Sequence, residues 1–140
     1  MDAKEELKKG FISNSLEDTE RVATAFAQQI EKDAFITLSG DLGAGKTAFV
    51  RAMAKALGVK AQVKSPSFNI CNIYPEGLVH IDAYRIKGSF DPSDFLIDEL
   101  AANPTIICVE WPEMIADFIP PNAYKLKFTL NGQTRKIVLE

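Results

Sequence analysis

Arginine and histidine are scarce in this sequence, and it has no long hydrophobic run. Only four arginines occur (Arg21, Arg51, Arg85 and Arg135), and they are scattered. With a formal net charge of −3 and a pI of about 5.2, the chain lacks the basic stripe that supplies most nucleic-acid affinity. Autonomous RNA or DNA binding is therefore not expected, and any role beside a nucleic acid falls to partners. No apolar run approaches the ~20 residues of a membrane span. The N-terminal MDAKEELKKG is charged where a secretory signal would be apolar. The two cysteines, Cys71 and Cys108, sit far apart in apolar segments with no C-x-x-C pattern. They read as buried thiols of a reducing compartment, so a cytoplasmic location is expected. The only histidine, His80, has no second histidine or cysteine cluster with which to hold zinc.

The rest of the composition is that of an ordinary globular protein, 140 residues with 46% hydrophobic and 25% charged positions. A chain of this length buries roughly two-thirds of its unfolded surface and needs no disulfide to hold a core. No repeat, low-complexity tract or linker divides it, so residues 1–140 are expected to form a single domain. Phe11 and Ile12 suggest a short edge strand. Ser15 suits the N-cap of a helix over 16–32, with Val22, Phe26 and Ile30 at helical spacing. Residues 34–39 (AFITLS) form a compact apolar run of strand length. A second helix is expected over 46–57, closed by Gly58. Segments 68–74 and 78–84 read as two strands joined by Pro75-Glu76-Gly77. Asp91 and Pro92 suit the start of a helix to about residue 102. Residues 105–110 (TIICVE) are a buried strand, followed by a short helix ending at Pro120-Pro121. In the C-terminal tail, Asn131-Gly132 predicts a hairpin with a type I′ turn. The fold class expected is α/β, a P-loop-type mixed sheet flanked by helices and ending in a β-hairpin.

Between the strand at 34–39 and the helix at 46–57 lies Gly40-Asp41-Leu42-Gly43-Ala44-Gly45-Lys46-Thr47, a complete G-x-x-x-x-G-K-[ST]. At average residue usage such a match arises by chance in about one chain in a couple of hundred of this length. The strand before it and the helix after it are the context the motif requires. Glycines let successive backbone N–H groups turn inward on phosphate oxygens, and the helix N-terminus adds its positive end. Lys46 would reach the β- and γ-phosphates, and the Thr47 hydroxyl would go to Mg²⁺. Ala48 continues the phosphate-facing first turn. ATP with Mg²⁺ is the expected ligand.

Such a site also needs a carboxylate at the end of an apolar strand. Leu78-Val79-His80-Ile81-Asp82 and Ile106-Ile107-Cys108-Val109-Glu110 both supply one, and the sequence does not rank them. His80, Asp82 and Tyr84 alternate, which places them on one strand face too polar for a core. For His80 the plainer role is a hydrogen-bonded structural histidine rather than a base. Ser65-Pro66-Ser67 can be a plain turn, or a hydroxyl loop that senses the γ-phosphate through Ser65 and Ser67. Trp111, the only tryptophan, is either a core anchor or a contact near the nucleotide.

Taken in order, the phosphate loop, Ser65-Pro66-Ser67-Phe68, His80-Ile81-Asp82-Ala83-Tyr84-Arg85 and Glu110-Trp111 resemble the TsaE (YjeE) family over nearly the whole chain. That family contains the small bacterial ATPase of tRNA threonylcarbamoyladenosine (t6A) modification. It favours threonine where Ser67 and Ala48 stand; Ser67 keeps the hydroxyl, and Ala48 follows the functional threonine. The resemblance implies a P-loop α/β fold and ATP hydrolysis in support of repeated turnover by a complex of TsaB and TsaD. TsaD would carry the transferase chemistry, so tRNA would be met only indirectly. It further implies that Lys46 and Thr47 bind phosphate and metal and that Glu110 is the metal-site carboxylate. Asp82 would position the attacking water or a metal-bound water, and Trp111 would lie near the nucleotide.

Three rivals share a phosphate loop. A small-molecule kinase commonly shields the transferring phosphoryl group with lid arginines, and none lies between Arg85 and Arg135. A GTP switch should carry Asn-Lys-x-Asp, which is absent. A non-catalytic nucleotide-binding subunit is the third. It is favoured by the lack of any arginine whose place in the sequence puts it near the phosphate loop. That same lack leads to an expectation of slow hydrolysis by the chain alone.

Overall fold

A computed structural model describes residues 2–63, 71–85 and 104–140. In chain order its regular elements are α1 (Ala3–Lys9), β1 (Phe11–Ser13), α2 (Leu16–Gln29), β2 (Phe35–Gly40), α3 (Lys46–Ala56), β3 (Cys71–Tyr74), β4 (Leu78–Asp82), β5 (Ile106–Glu110), β6 (Tyr124–Asn131) and β7 (Thr134–Leu139). The strands form one sheet in the order β1-β7-β6-β2-β5-β4-β3. Its centre, β6-β2-β5-β4, is parallel; the flanks β3, β7 and β1 pair antiparallel. This is the mixed α/β sheet expected of the sequence.

Apolar spacing sets the layers. Ser15 Oγ accepts the Asp18 N–H at 3.1 Å and starts α2, whose Val22, Phe26 and Ala27 are fully buried. Phe26 meets Phe49 of α3 with ring centroids 6.0 Å apart, and Phe49 meets Phe128 of β6 at 5.6 Å. Three aromatic rings thus tie two helices to the sheet. Leu78, Cys108 and Leu38 belong to this helix-covered face, whereas Val79, Ile81 and Val109 face a smaller cluster with Ile115. Strand alternation therefore puts His80 and Glu110 on the side of α3. Both cysteines are free. Burial raises the Cys71 thiol to about 11, and burial, then the neighbouring Glu110 charge, pushes Cys108 up further.

The structure departs from the sequence reading in four places. α1 was not foreseen: Asp2 caps it by accepting the Lys4 N–H at 2.8 Å, but only Ala3 and Leu7 are buried, too few for a periodicity to show. β4 ends at Asp82, and Tyr84 lies on a 3₁₀ turn, Ala83–Arg85. The three alternating residues are therefore not one strand face, and His80 is core. After β5 the helix is a kinked 3₁₀ segment, Pro112–Phe118. At the last hairpin Asn131 pairs with Thr134, so the two-residue turn is Gly132-Gln133. Among described residues there, only Gly132 has positive φ, +64°, the pattern of a type II′ rather than a type I′ turn. The serines Ser65 and Ser67, positions 68–70 and the helix expected from Asp91 lie outside the described residues.

Candidate nucleotide site

The phosphate loop follows β2 at the sheet's C-terminal edge, where parallel α/β folds place their ligands. Gly40, with φ +121°, ends the strand against β6. A Cβ there would stand 1.9 Å from the Phe128 carbonyl oxygen, so only glycine fits. The Asp41 N–H donates to that same carbonyl at 3.2 Å, and Asp41 Oδ2 accepts the Leu130 N–H at 3.1 Å. Asp41 thus anchors the loop to β6. Leu42 is exposed and Ala44 buried. Gly45, φ +97°, occupies the left-handed N-cap of α3 without a side-chain cap. The first N–H groups of α3, at Lys46, Thr47 and Ala48, therefore carry the helix's positive end toward the loop.

Lys46 is buried. Its Nζ donates to the Gly40 carbonyl at 2.8 Å and sits 4.0 Å from the Trp111 ring centroid. Burial lowers its pKa below the ordinary lysine value; the carboxylates of Glu110, Glu113, Asp82 and Asp41 oppose that shift. Trp111 has left-handed backbone, φ 59° and ψ 53°, a conformation costing on the order of 1–3 kcal/mol for a non-glycine residue. Its N–H donates to the Leu38 carbonyl at 3.2 Å, and its ring lies 4.9 Å from that of Tyr84. Trp111 is half-buried and stands over the lysine.

Register brings the two carboxylates together. Asp82 of β4 lies opposite Glu110 of β5, and Leu38 of β2 lies opposite Glu110 on its other side. Glu110 is buried. The Thr47 hydroxyl donates to Glu110, with Oε2 at 3.0 Å and Oε1 at 3.3 Å. His80 Nε2 lies 2.5 Å from Glu110 Oε2. Asp82 is half-buried, and its Oδ1 accepts the Tyr84 N–H at 3.1 Å. Glu110, not Asp82, is therefore the carboxylate joined to the phosphate loop.

Thr47 and Glu110 offer hydroxyl and carboxylate oxygens, a donor set suited to a hard cation such as Mg²⁺. Among the described residues no cluster of three or more His, Cys, Asp or Glu could hold a metal. Mg²⁺ typically needs no such cage, since it keeps waters and takes phosphate oxygens with one or two protein ligands.

Arg135 was missed by the sequence reading. A Cβ on Gly45 would stand 3.4 Å from Arg135 Cδ and 3.6 Å from its Nε, so this half-buried β7 side chain packs on the start of α3. The signal was partly available in the hairpin at Asn131-Gly132, but the parallel β6–β2 pairing that carries it beside the loop is a long-range feature. Arg51, further along α3, donates from Nε to the Val63 carbonyl at 3.1 Å.

A family model described as threonylcarbamoyl adenosine biosynthesis protein TsaE matches residues 13–137. The chain is 44% identical over 113 residues to the tRNA threonylcarbamoyladenosine biosynthesis protein TsaE of Aquifex aeolicus, covering 77% of this chain and 80% of that one. It is 36% identical over 123 residues to the Bacillus subtilis protein of the same name, covering 86% and 77%. It is also similar to the crystal structure of Bacillus subtilis YdiB, with a TM-score of 0.74 at 28% identity over 93% of this chain and 82% of that one. No helix among the described residues is long and apolar enough to cross a membrane.

Proposed function

This chain belongs to the TsaE family, and from that premise we propose that it is the Mg²⁺-dependent ATPase of t6A biosynthesis, a cytoplasmic protein acting on a TsaB–TsaD complex to support repeated turnover. The observation that carries the proposal is the hydrogen bond from the Thr47 hydroxyl to buried Glu110 at 3.0 Å, beside a complete glycine cradle. It joins a phosphate loop to a strand-end carboxylate, as a metal–triphosphate site requires.

In this reading the backbone N–H groups of residues 43–48 bind the phosphates. Lys46 leaves the Gly40 carbonyl and turns to the β- and γ-phosphates, exchanging a neutral acceptor for an anionic one. Thr47 and Glu110 would hold Mg²⁺, which when bound neutralises charge on the phosphate oxygens. Asp82, fixed by the Tyr84 N–H, stands where β4 ends beside Glu110 and orients the attacking water. Trp111 bounds the site on the lysine side and limits its exposure to solvent. Ser65 and Ser67 would sense the γ-phosphate. The acidic chain leaves contact with tRNA to its partners.

The test is product analysis with Mg²⁺-ATP. ADP and inorganic phosphate are expected; a phosphorylated small molecule, or nucleotide binding with no turnover even beside TsaB and TsaD, would overturn the proposal.

A further inference from the structure

One buried polar side chain of the site has no part in the mechanism so far. His80 is fully buried on β4, paired in register with Cys108 and facing Glu110 two residues further along β5. A carboxylate that is to hold Mg²⁺ only accepts hydrogen bonds, so in that reading the 2.5 Å contact is a donation from His80 Nε2–H to Glu110 Oε2. The other ring nitrogen, Nδ1, is buried with no hydrogen-bond partner among the described residues. A side chain serving only to fill this space would be better apolar, since it would leave no buried nitrogen unpaired.

We propose that His80 is a positioning residue for the metal side of the site, holding Glu110 by Oε2 so that Oε1 is left for Mg²⁺. This rests on the Mg²⁺–triphosphate reading given above. The Thr47 hydroxyl is nearer Oε2, at 3.0 Å, but also within reach of Oε1 at 3.3 Å, so it does not by itself fix which oxygen is left for the metal. His80 makes that choice. It also competes with Lys46, whose ammonium feels the Glu110 charge more than any other carboxylate. Without the imidazole the carboxylate is free to swing toward the lysine, spending on an internal ion pair both the charge meant for phosphate and the oxygen meant for the metal. Groups that hydrogen-bond a metal-ligating carboxylate fix its orientation in this way.

The experiment is calorimetry of ATP binding, first in EDTA and then at graded Mg²⁺, on the full chain and on three variants. The Gln side chain carries its amide nitrogen the same number of bonds from the backbone as His Nε2, and Asn carries it where Nδ1 lies. His80→Gln should stay within about threefold of the parent in Mg²⁺ requirement, while His80→Leu and His80→Asn should each need roughly tenfold more or beyond. All three should keep ATP affinity in EDTA. Should His80→Leu fold poorly, the Gln and Asn pair decides, since the two share polarity and differ in where the donor stands. Parent-like Mg²⁺ dependence in Leu and Asn, or an equal loss in Gln, would overturn the proposal. If the parent itself shows no Mg²⁺-dependent ATP binding, the functional reading fails before any variant is compared.

Discussion

The phosphate cradle folds from one stretch of chain, residues 40–47, whereas the wall facing it draws His80 and Asp82 from β4 and Glu110 from β5. The cradle gets its shape from glycines in left-handed backbone and from its anchor on Phe128. The wall gets its shape from strand register, Asp82 opposite Glu110, and from hydrogen bonds among side chains. The cradle's geometry is thus held by backbone, the wall's by side-chain chemistry. Substitutions in the cradle should act on the fold or on phosphate binding as a whole. Those in the wall should separate metal binding from turnover while the fold persists.

The largest effect should come where the cradle leaves no room. Gly40→Ala puts a Cβ against the Phe128 carbonyl and strains a positive φ, forcing β2 from β6. The expected loss is roughly 3 kcal/mol or more, lowering the melting temperature by roughly 10 °C. An unchanged melting curve would contradict the close β2–β6 approach at Gly40. Lys46→Ala should instead leave melting nearly intact and lose about 1.5–3 kcal/mol of triphosphate affinity, tenfold or more by calorimetry.

The cradle was almost wholly legible in the sequence because phosphate binding by a helix N-terminus is a local property of eight consecutive residues. The wall was legible only as two strand-end carboxylates. Nothing local says that Glu110 rather than Asp82 reaches Thr47, since that follows from a parallel β4–β5 register. His80 looked like one of three residues on a polar strand face because the end of β4 at Asp82 was not visible. The 3₁₀ turn that follows carries Tyr84 to Trp111 instead. α1 escaped for a simpler reason: a seven-residue helix buries too little to print a period.

Within the wall, Glu110→Gln should shift the Mg²⁺ dependence of ATP binding, since the carboxylate joined to Thr47 loses its charge. Asp82→Asn should keep binding and lose turnover. The reverse pattern, read by calorimetry and phosphate release, would exchange their roles and leave the site in place.

The smallest expected effect concerns Arg135, which brings a side-chain cation to the cradle. It packs on the N-cap of α3, where the helix dipole disfavours positive charge. An anion bound in the cradle would reverse that penalty. Arg135→Gln is therefore expected to weaken ATP binding roughly two- to fivefold without lowering the melting temperature of the free protein. A loss of stability with unchanged affinity would make Arg135 a packing residue only.

Arg135 bears on the ATPase reading as well, because a slow enzyme was expected partly from the lack of any arginine near the loop. Its side chain packs on the helix start at Gly45, and the weak activity expected of the chain alone leaves room for an arginine supplied by a partner, worth ~10³–10⁵ in rate. Phosphate release from Mg²⁺-ATP by the purified chain, alone, with TsaB or TsaD singly, and with both, measures that contribution directly. Weak release by the chain alone that rises only when TsaB and TsaD are both present is the predicted result. Rapid release by the isolated chain, indifferent to either partner, would contradict it.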